Sequence, residues 1–260
     1  MIRVNKWSMS RPTGFRVIAT CSREDIVADI ILYQFDISPF ADKVRRILAF
    51  KGIAFETRDP KITEVDAFKT KSPAGRLPVL EHKGVLVADS SAIAEFLEQT
   101  YPDPPLIPAD PALAGLARLL EDWADESLYW YELTMRLTWE ENARALFGPV
   151  LTQSGVPRLL QGPAISGIVS KYGKIAEGQG TGAKPRAVLL ADVARLLDAA
   201  QGFLAEKTWM VGESLTLADI AIYCQLACIR STPEGAPLFE ARPALSAWMG
   251  RVAAATQNRA

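Results

Sequence analysis

The chain has 260 residues, 49% of them hydrophobic and 23% charged, with a formal net charge of -1. That is long enough for one large domain or two smaller ones, and apolar enough for an ordinary soluble core. The balanced charge, with no basic stripe interleaved with aromatics, argues against a nucleic-acid partner, and no uninterrupted apolar run reaches the roughly 18 residues that suggest a membrane span.

Residues 1–28 carry Arg3, Lys6, Arg11, Arg16 and Arg23 with no acid before Glu24, and they lack the apolar core of a secretory signal. We read them as a polar N-terminal extension. An organelle presequence, or a translation start at Met9, are the lesser readings. The cysteines are Cys21, Cys224 and Cys228. An odd count without a disulfide framework favours a reducing compartment, and the expectation is cytoplasmic.

Ile30 to Phe35 is a short apolar run with β-branched and aromatic residues, the pattern of a buried strand. A helix then starts abruptly, with Ser38 as N-cap, Pro39 at the first helical position and Asp42 in the first turn. Phe40, Val44, Ile47 and Leu48 recur at helical spacing, and Gly52 is the C-terminal stop. The strand thus delivers a hydroxyl to the positive end of a helix, where an anion is stabilised.

Ala54 to Arg58 reads as a second strand, completing a right-handed βαβ unit. Thr63 to Lys71 reads as irregular or weakly helical. Ser72 to Leu80 is a turn and then a strand opening on Pro78. Val79–Glu81 and Val85–Val87 flank His82-Lys83-Gly84 as a hairpin, which makes His82 a turn residue. Asp89, Ser90 and Ser91 cap a helix ending near Tyr101-Pro102.

Prolines at 102, 104, 105, 108 and 111 mark the domain boundary, giving units 29–102 and 111–260. Beyond it strand alternation stops. Ala112 to about Ala145 reads as one helix carrying Trp123, Tyr129, Trp130, Tyr131, Met135 and Trp139. Glycine and proline recur from Gly148 to Lys184, and the cluster Gly178 to Gly182, without a P-loop lysine or a preceding strand, reads as a loop. A helix resumes over Arg186 to Leu204. Thr216 and Asp219 form a capping box, with Leu215 and Ile220 as its staple, for an almost wholly apolar core helix. Cys224 and Cys228 lie one turn apart on it and read as core thiols. A last helix spans Pro243 to Ala255.

Four segments in order carry a resemblance to the cytosolic glutathione transferase superfamily, covering about residues 29–255. Ser38-Pro39-Phe40 stands where thioredoxin-like proteins carry their active cysteine. Gly75-Arg76-Leu77-Pro78-Val79-Leu80 is similar to the family's Gly-x-Val-Pro-x-Leu segment with its cis proline. Asp89-Ser90-Ser91-Ala92-Ile93 resembles Glu/Asp-Ser-x-Ala-Ile, and Thr216-Leu217-Ala218-Asp219 matches the Ser/Thr-x-x-Asp box.

The resemblance implies an α+β chain: a thioredoxin-like domain with a mixed four-stranded sheet, then an all-α domain, with glutathione as co-substrate, no metal and a homodimer. By resemblance, Ser38 donates to the glutathione sulfur beside Phe40, and Arg76 takes the glycine carboxylate. Leu77, held by Pro78, pairs its main chain with the cysteinyl unit, while Asp89 and Ser90 take the γ-glutamyl end. Serine at position 38, with alanine at 41, points to thiol activation for attack on a small hydrophobic electrophile and away from dithiol cycling. Trp123 and Trp130, on one helical face, are candidates for the electrophile pocket.

Two features depart from the family pattern, the N-terminal extension and a glycine-rich segment over about 140–186. Such departures occur in metaxin-like binding proteins and in glutathione-dependent etherases, the two alternatives to a conjugating transferase.

Overall fold

The computed structural model describes residues 29–60, 64–73 and 75–257. The reading of 1–28 as an extension, and Cys21 with it, falls outside the described residues. Strand β1 (Ile30–Tyr33) leads into helix α1 (Pro39–Phe50), followed by β2 (Glu56–Arg58), α2 (Val65–Lys69), β3 (Val79–His82), β4 (Val85–Ala88) and α3 (Ser90–Thr100). The sheet has the order β2-β1-β3-β4, with β1 parallel to β2 and antiparallel to β3, and β3 antiparallel to β4. This is the mixed sheet of a thioredoxin-like domain.

Strand alternation sets the two faces of this sheet. Ile30, Leu32 and Leu80, all buried, share the core with Val44, Ile47 and Leu48 of α1 and Ile93 and Leu97 of α3. On the other face Tyr33 meets Phe68 of α2 edge-on at 5.4 Å and donates its hydroxyl to Glu81 at 2.7 Å. Burying one such aliphatic side chain contributes about 1.5–3 kcal/mol, so the inner face dominates the domain's stability. His82 is the last residue of β3 rather than part of the turn. Its ring packs on Phe96 and lies 3.1 Å from the Tyr101 hydroxyl, while Lys83 and Gly84 make the turn with positive φ.

No helix or strand spans residues 101–110. The Lys51 ammonium, buried at the end of α1, anchors this stretch by donating to Glu98 (2.7 Å) and to the carbonyls of Tyr101 (2.7 Å) and Pro104 (2.9 Å). Glu98 in turn accepts from the Leu106 and Ile107 amides. Charge and linker are satisfied together.

The second domain is all helical: α4 (Pro111–Trp123), α5 (Tyr129–Leu133), α6 (Glu140–Gln153), α7 (Arg158–Gln179), α8 (Arg186–Phe203), α9 (Leu217–Arg230), α10 (Ala236–Glu240) and α11 (Pro243–Ala255). The expected single helix over 112–145 is interrupted by π-turns at Ala124–Leu128 and Thr134–Thr138 and by extended backbone at Trp139. Around the second π-turn Thr134 and Thr138 bond back to the carbonyls of Trp130 and Thr134, both at 2.7 Å, a habit that bends helices.

The stretch from Gly148 to Lys184 is largely helical, contrary to the sequence reading. Ala143 and Leu151 of α6 and Ile165 of α7 form a small buried cluster with Phe147, Val156, Ala164 and Val169. This packing outweighs the low helix propensity of the glycines and of Pro149 and Pro163 inside the two helices. The loop expected at the glycine cluster begins only at Gly180, in the left-handed conformation (φ 111°), which closes α7. At Gly182 a Cβ would meet the Glu177 amide nitrogen at 2.6 Å.

Helix α9 is the central element and packs on α1, α4 and α5. Asp219, wholly buried, accepts from the amides of Met210 (2.8 Å) and Thr216 (2.9 Å), the Thr216 hydroxyl (2.8 Å) and the Trp248 indole (2.8 Å). The capping box therefore also ties α9 to α11.

Candidate functional site

Ser38 caps α1, its Oγ accepting from the Ala41 amide at a long 3.4 Å, and it is half-buried. Among the described residues no acceptor takes its hydroxyl proton, so a hydroxyl that caps the helix still has a donor to offer. The turn before it is tied at nearly every polar group. Ser38 N–H donates to Phe35 (3.0 Å), Asp36 N–H to Asp59 (2.8 Å), and Arg45 to the Asp36 carbonyl (3.1 Å). The Ile37 carbonyl accepts from Arg136 at 2.9 Å, across the domain boundary.

The Leu77–Pro78 bond is cis, in the loop that enters β3. Arg76 is exposed and makes no ion pair among the described residues; its guanidinium lies within electrostatic reach of Tyr129 and Tyr172. Asp89 sits at φ 81°, uncommon for a residue with a side chain, and its Oδ1 accepts from the Ser91 (2.9 Å) and Ala92 (3.1 Å) amides. Its Oδ2 has no partner among the described residues, and neither does the hydroxyl of Ser90, which is nearly buried at the start of α3. Cap and uncommitted acceptor coexist here as they do at Ser38.

The wall opposite is a stripe that the sequence reading missed. Glu121, Asp125, Tyr129, Glu132 and Arg136 follow one another at three- and four-residue steps, so they share the face of α4–α5 turned to the first domain. As the helix ascends, its partners descend α1. Lys43 bonds Glu121 (2.7 Å) and Asp125 (2.5 Å), Phe40 meets Tyr129 at 4.9 Å, and Ile37 meets Arg136. Ser91 joins the lower end, donating to Glu121 at 2.5 Å. The signal was the acid–aromatic–acid–base spacing, which invites a basic partner that local sequence cannot name.

The electrostatics follow from burial. Desolvation pushes Asp125 up to about 6, with Lys43 and the neighbouring Gln225 amide opposing. Burial disfavours the Lys43 charge too, but Asp125 and Glu121 outweigh it and hold the ammonium above its ordinary range. Burial raises the Glu132 carboxyl, with Arg136 opposing. The Tyr129 phenol is also pushed up by burial, with Glu132 and Tyr172 adding and Arg76 offsetting part of the rise. Tyr129 is therefore a hydrogen-bond donor at neutral pH and no base.

Of the pocket candidates, Trp123 packs against the main core, whereas Trp130 lies against Tyr129 at 5.2 Å. Tyr172, on the Ile165–Val169–Ala176 face of α7, was not among the sequence candidates. The Tyr33 hydroxyl, on the opposite face of the sheet, is held by Glu81. Burial holds the thiols of Cys224 and Cys228 above their ordinary range, so both stay protonated at neutral pH. Among the described residues no cluster of His, Cys, Asp or Glu has the makings of a metal site.

Comparison with known proteins agrees with this fold. The model of the glutathione S-transferase N-terminal domain matches residues 32–105, and that of the C-terminal domain matches residues 169–255, together more than half of the chain. The isoprene-epoxide–glutathione S-transferase of Rhodococcus sp. (strain AD45) is 27% identical over 231 residues, 84% of this chain and 92% of its own length. LigF of Sphingobium sp. (strain NBRC 103272 / SYK-6) is 27% identical over 240 residues, 85% and 88% of the two chains. The solved β-etherase LigF structure matches the fold with a TM-score of 0.64 over 87% of this chain and 95% of that one, at 24% identity. A glutathione S-transferase from Rhodospirillum rubrum F11 gives 0.62 over 86% and 87%, also at 24%. A thioredoxin-like domain joined to an all-helical one, matched by both halves of a single family, has one reading: the chain belongs to the cytosolic glutathione transferase superfamily and is a glutathione S-transferase.

Proposed function

We propose that this enzyme activates the glutathione thiol at Ser38 for attack on a small hydrophobic electrophile whose leaving or ring-opened atom is oxygen. One observation carries the reading: the uncommitted Ser38 hydroxyl at the positive end of α1, beside the Phe40–Tyr129 ring pair. The tripeptide spans from Arg76 through the Leu77 main chain and Pro78 to Asp89 and Ser90. The Ser38 hydrogen bond and the helix N-terminus stabilise the thiolate over the thiol, raising its fraction near pH 7.

The thiolate then attacks carbon, a C–S bond forms, and the C–O bond breaks with its electron pair on oxygen. Tyr129 donates its proton, or a hydrogen bond, to that oxygen. Phe40, Trp130 and Tyr172 supply the apolar and aromatic lining, with Trp123 behind them. Support for oxygen as the departing atom comes from two relatives whose names state an epoxide substrate and β-etherase activity, together with the protonated Tyr129, whose ring meets that of Phe40, two residues on from Ser38. We further propose a homodimer, as the family resemblance implies, in the cytoplasm, as the cysteine count favours.

The test is turnover of epoxides, aryl ethers, aryl halides and enals with reduced glutathione, products identified by mass spectrometry. Conjugates or phenols from the oxygen-bearing substrates are expected. Turnover confined to aryl halides would refute the oxygen assignment. Absence of turnover on every class, with glutathione still bound, would favour the binding-protein reading.

A further inference from the structure

The Ser38 turn is held from two sides. Gln34, Asp36, Arg45 and Asp59 tie it to the first domain, through bonds between Gln34 and Asp59 (3.3 Å), Asp36 and Asp59 (2.8 Å) and Arg45 and Gln34 (2.6 Å). The residue directly before Ser38 is held by the other domain. Arg136 Nη2 donates to the Ile37 carbonyl at 2.9 Å, while Nη1 donates to Glu132 (3.0 Å) and to the Cys228 sulfur (3.0 Å). Arg136 is 7% exposed and Glu132 1%.

This is an expensive arrangement by its burial, since two desolvated charges cost several kcal/mol that their attraction must recover. A guanidinium also leaves its Nε without a partner here, so the pair is not the best-satisfied solution for stability alone. What the arginine supplies that an apolar residue does not is a rigid fork, one arm on Glu132 and the other on a backbone carbonyl of the first domain. The peptide it grips is the one whose rotation would move the Ser38 hydroxyl.

We propose that Arg136 is a positioning residue: from the helical domain it fixes the Ile37 peptide and so aims the Ser38 hydroxyl at the thiol sulfur, with Glu132 holding the guanidinium in place. The inference rests on the reading of Ser38 given above. It makes the thiol site a joint product of both domains, and it explains why an ion pair is buried where α5 passes the start of α1. A displacement of Ser38 by about 1 Å is enough to cost on the order of 10- to 100-fold in rate.

Arg136→Lys tests this, because lysine keeps the charge but is shorter and lacks the planar, two-armed fork that holds Glu132 and the Ile37 carbonyl at a fixed spacing. The full-length variant, Ser38→Ala and the double variant are compared by kcat, by KM for glutathione, and by titrating the thiolate absorbance of bound glutathione. The expected result for Arg136→Lys is a fall in kcat of about 10-fold or more with KM changed less than about 3-fold. Its thiolate midpoint moves up toward that of Ser38→Ala, and the double variant is no slower than Ser38→Ala alone.

If Ser38→Ala shifts the midpoint and Arg136→Lys does not, the positioning role is wrong while the Ser38 reading stands. Losses that multiply in the double variant overturn it as well. If Ser38→Ala titrates as the native enzyme does, the Ser38 reading fails and takes this inference with it. Should Arg136→Lys not fold, Arg136→Met combined with Glu132→Leu removes both charges together; a native midpoint in that variant overturns the proposal, and a raised one supports it.

Discussion

Replacing Asp125 with asparagine isolates the electrostatics of the domain interface. Lys43 Nζ is shared between Glu121 at 2.7 Å and Asp125 at 2.5 Å, so one buried ammonium faces two carboxyls. Burial wins at Asp125, whose carboxyl is pushed up to about 6 from an ordinary 3.8. At 1.36 kcal/mol for each pH unit, this difference is worth about 3 kcal/mol. Because the value is raised, the folded state binds this proton more tightly than the unfolded chain does. The stabilisation is full below about pH 4 and is lost as pH rises through 6. Asparagine keeps the shape and an acceptor for Lys43 but does not titrate. The unfolding free energy of Asp125→Asn minus that of the native protein should therefore climb by about 2.4 kcal/mol between pH 4 and pH 7.5. Urea unfolding at a series of pH values, at one protein concentration, measures it. A difference that stays flat with pH would mean that Asp125 ionises normally in the fold, and the account of this interface would be wrong.

Other outcomes are equally specific. Asp219→Ala removes the acceptor of Met210, Thr216 and Trp248 at once, and should cost about 4 kcal/mol or more, read as a drop of roughly 10 °C in Tm. Arg76→Gln and Asp89→Asn should each raise KM for glutathione about 10-fold while leaving kcat within about 3-fold, the pattern of lost uniform binding; a fall in kcat at constant KM would contradict their assignment. Tyr129→Phe should slow epoxide and aryl-ether substrates by about 10-fold and spare aryl halides, since only the former develop charge on oxygen. Equal losses on all substrates would reduce Tyr129 to a packing residue.

Features fixed by neighbours in the chain were legible before any coordinates. Ser38-Pro39 capping α1, the reciprocal Thr216–Asp219 box and the hairpin around Lys83-Gly84 are local, and the residues state them. The cis bond at Pro78 came through family resemblance, since residue type alone does not distinguish the isomers. What escaped depends on distance along the chain. Lys43 pairs with Asp125 across 82 positions, so neither residue announces the other. Arg136 reaches Ile37 across 99 positions and looks, from sequence, like an ordinary helix cation. Helix α7 was hidden for the opposite reason. Its glycines and Pro163 lower local propensity, and packing against α6 and the Thr134–Thr138 turn outweighs them. The aromatics that drew attention on the 123–139 stretch were partly core, as Trp139 and Trp123 show.

The central claim is that the glutathione sulfur is held as an anion by Ser38. Titrating the thiolate absorbance of glutathione bound to the native enzyme and to Ser38→Ala addresses it directly. A hydrogen bond to a charged acceptor is worth about 1.5–3 kcal/mol, which is one to two pH units in the thiol's ionisation. The native midpoint should lie below the ordinary thiol value near 8.5, and Ser38→Ala should return it upward by roughly that amount. Coincident midpoints for the two proteins, with glutathione bound equally well, would contradict the account.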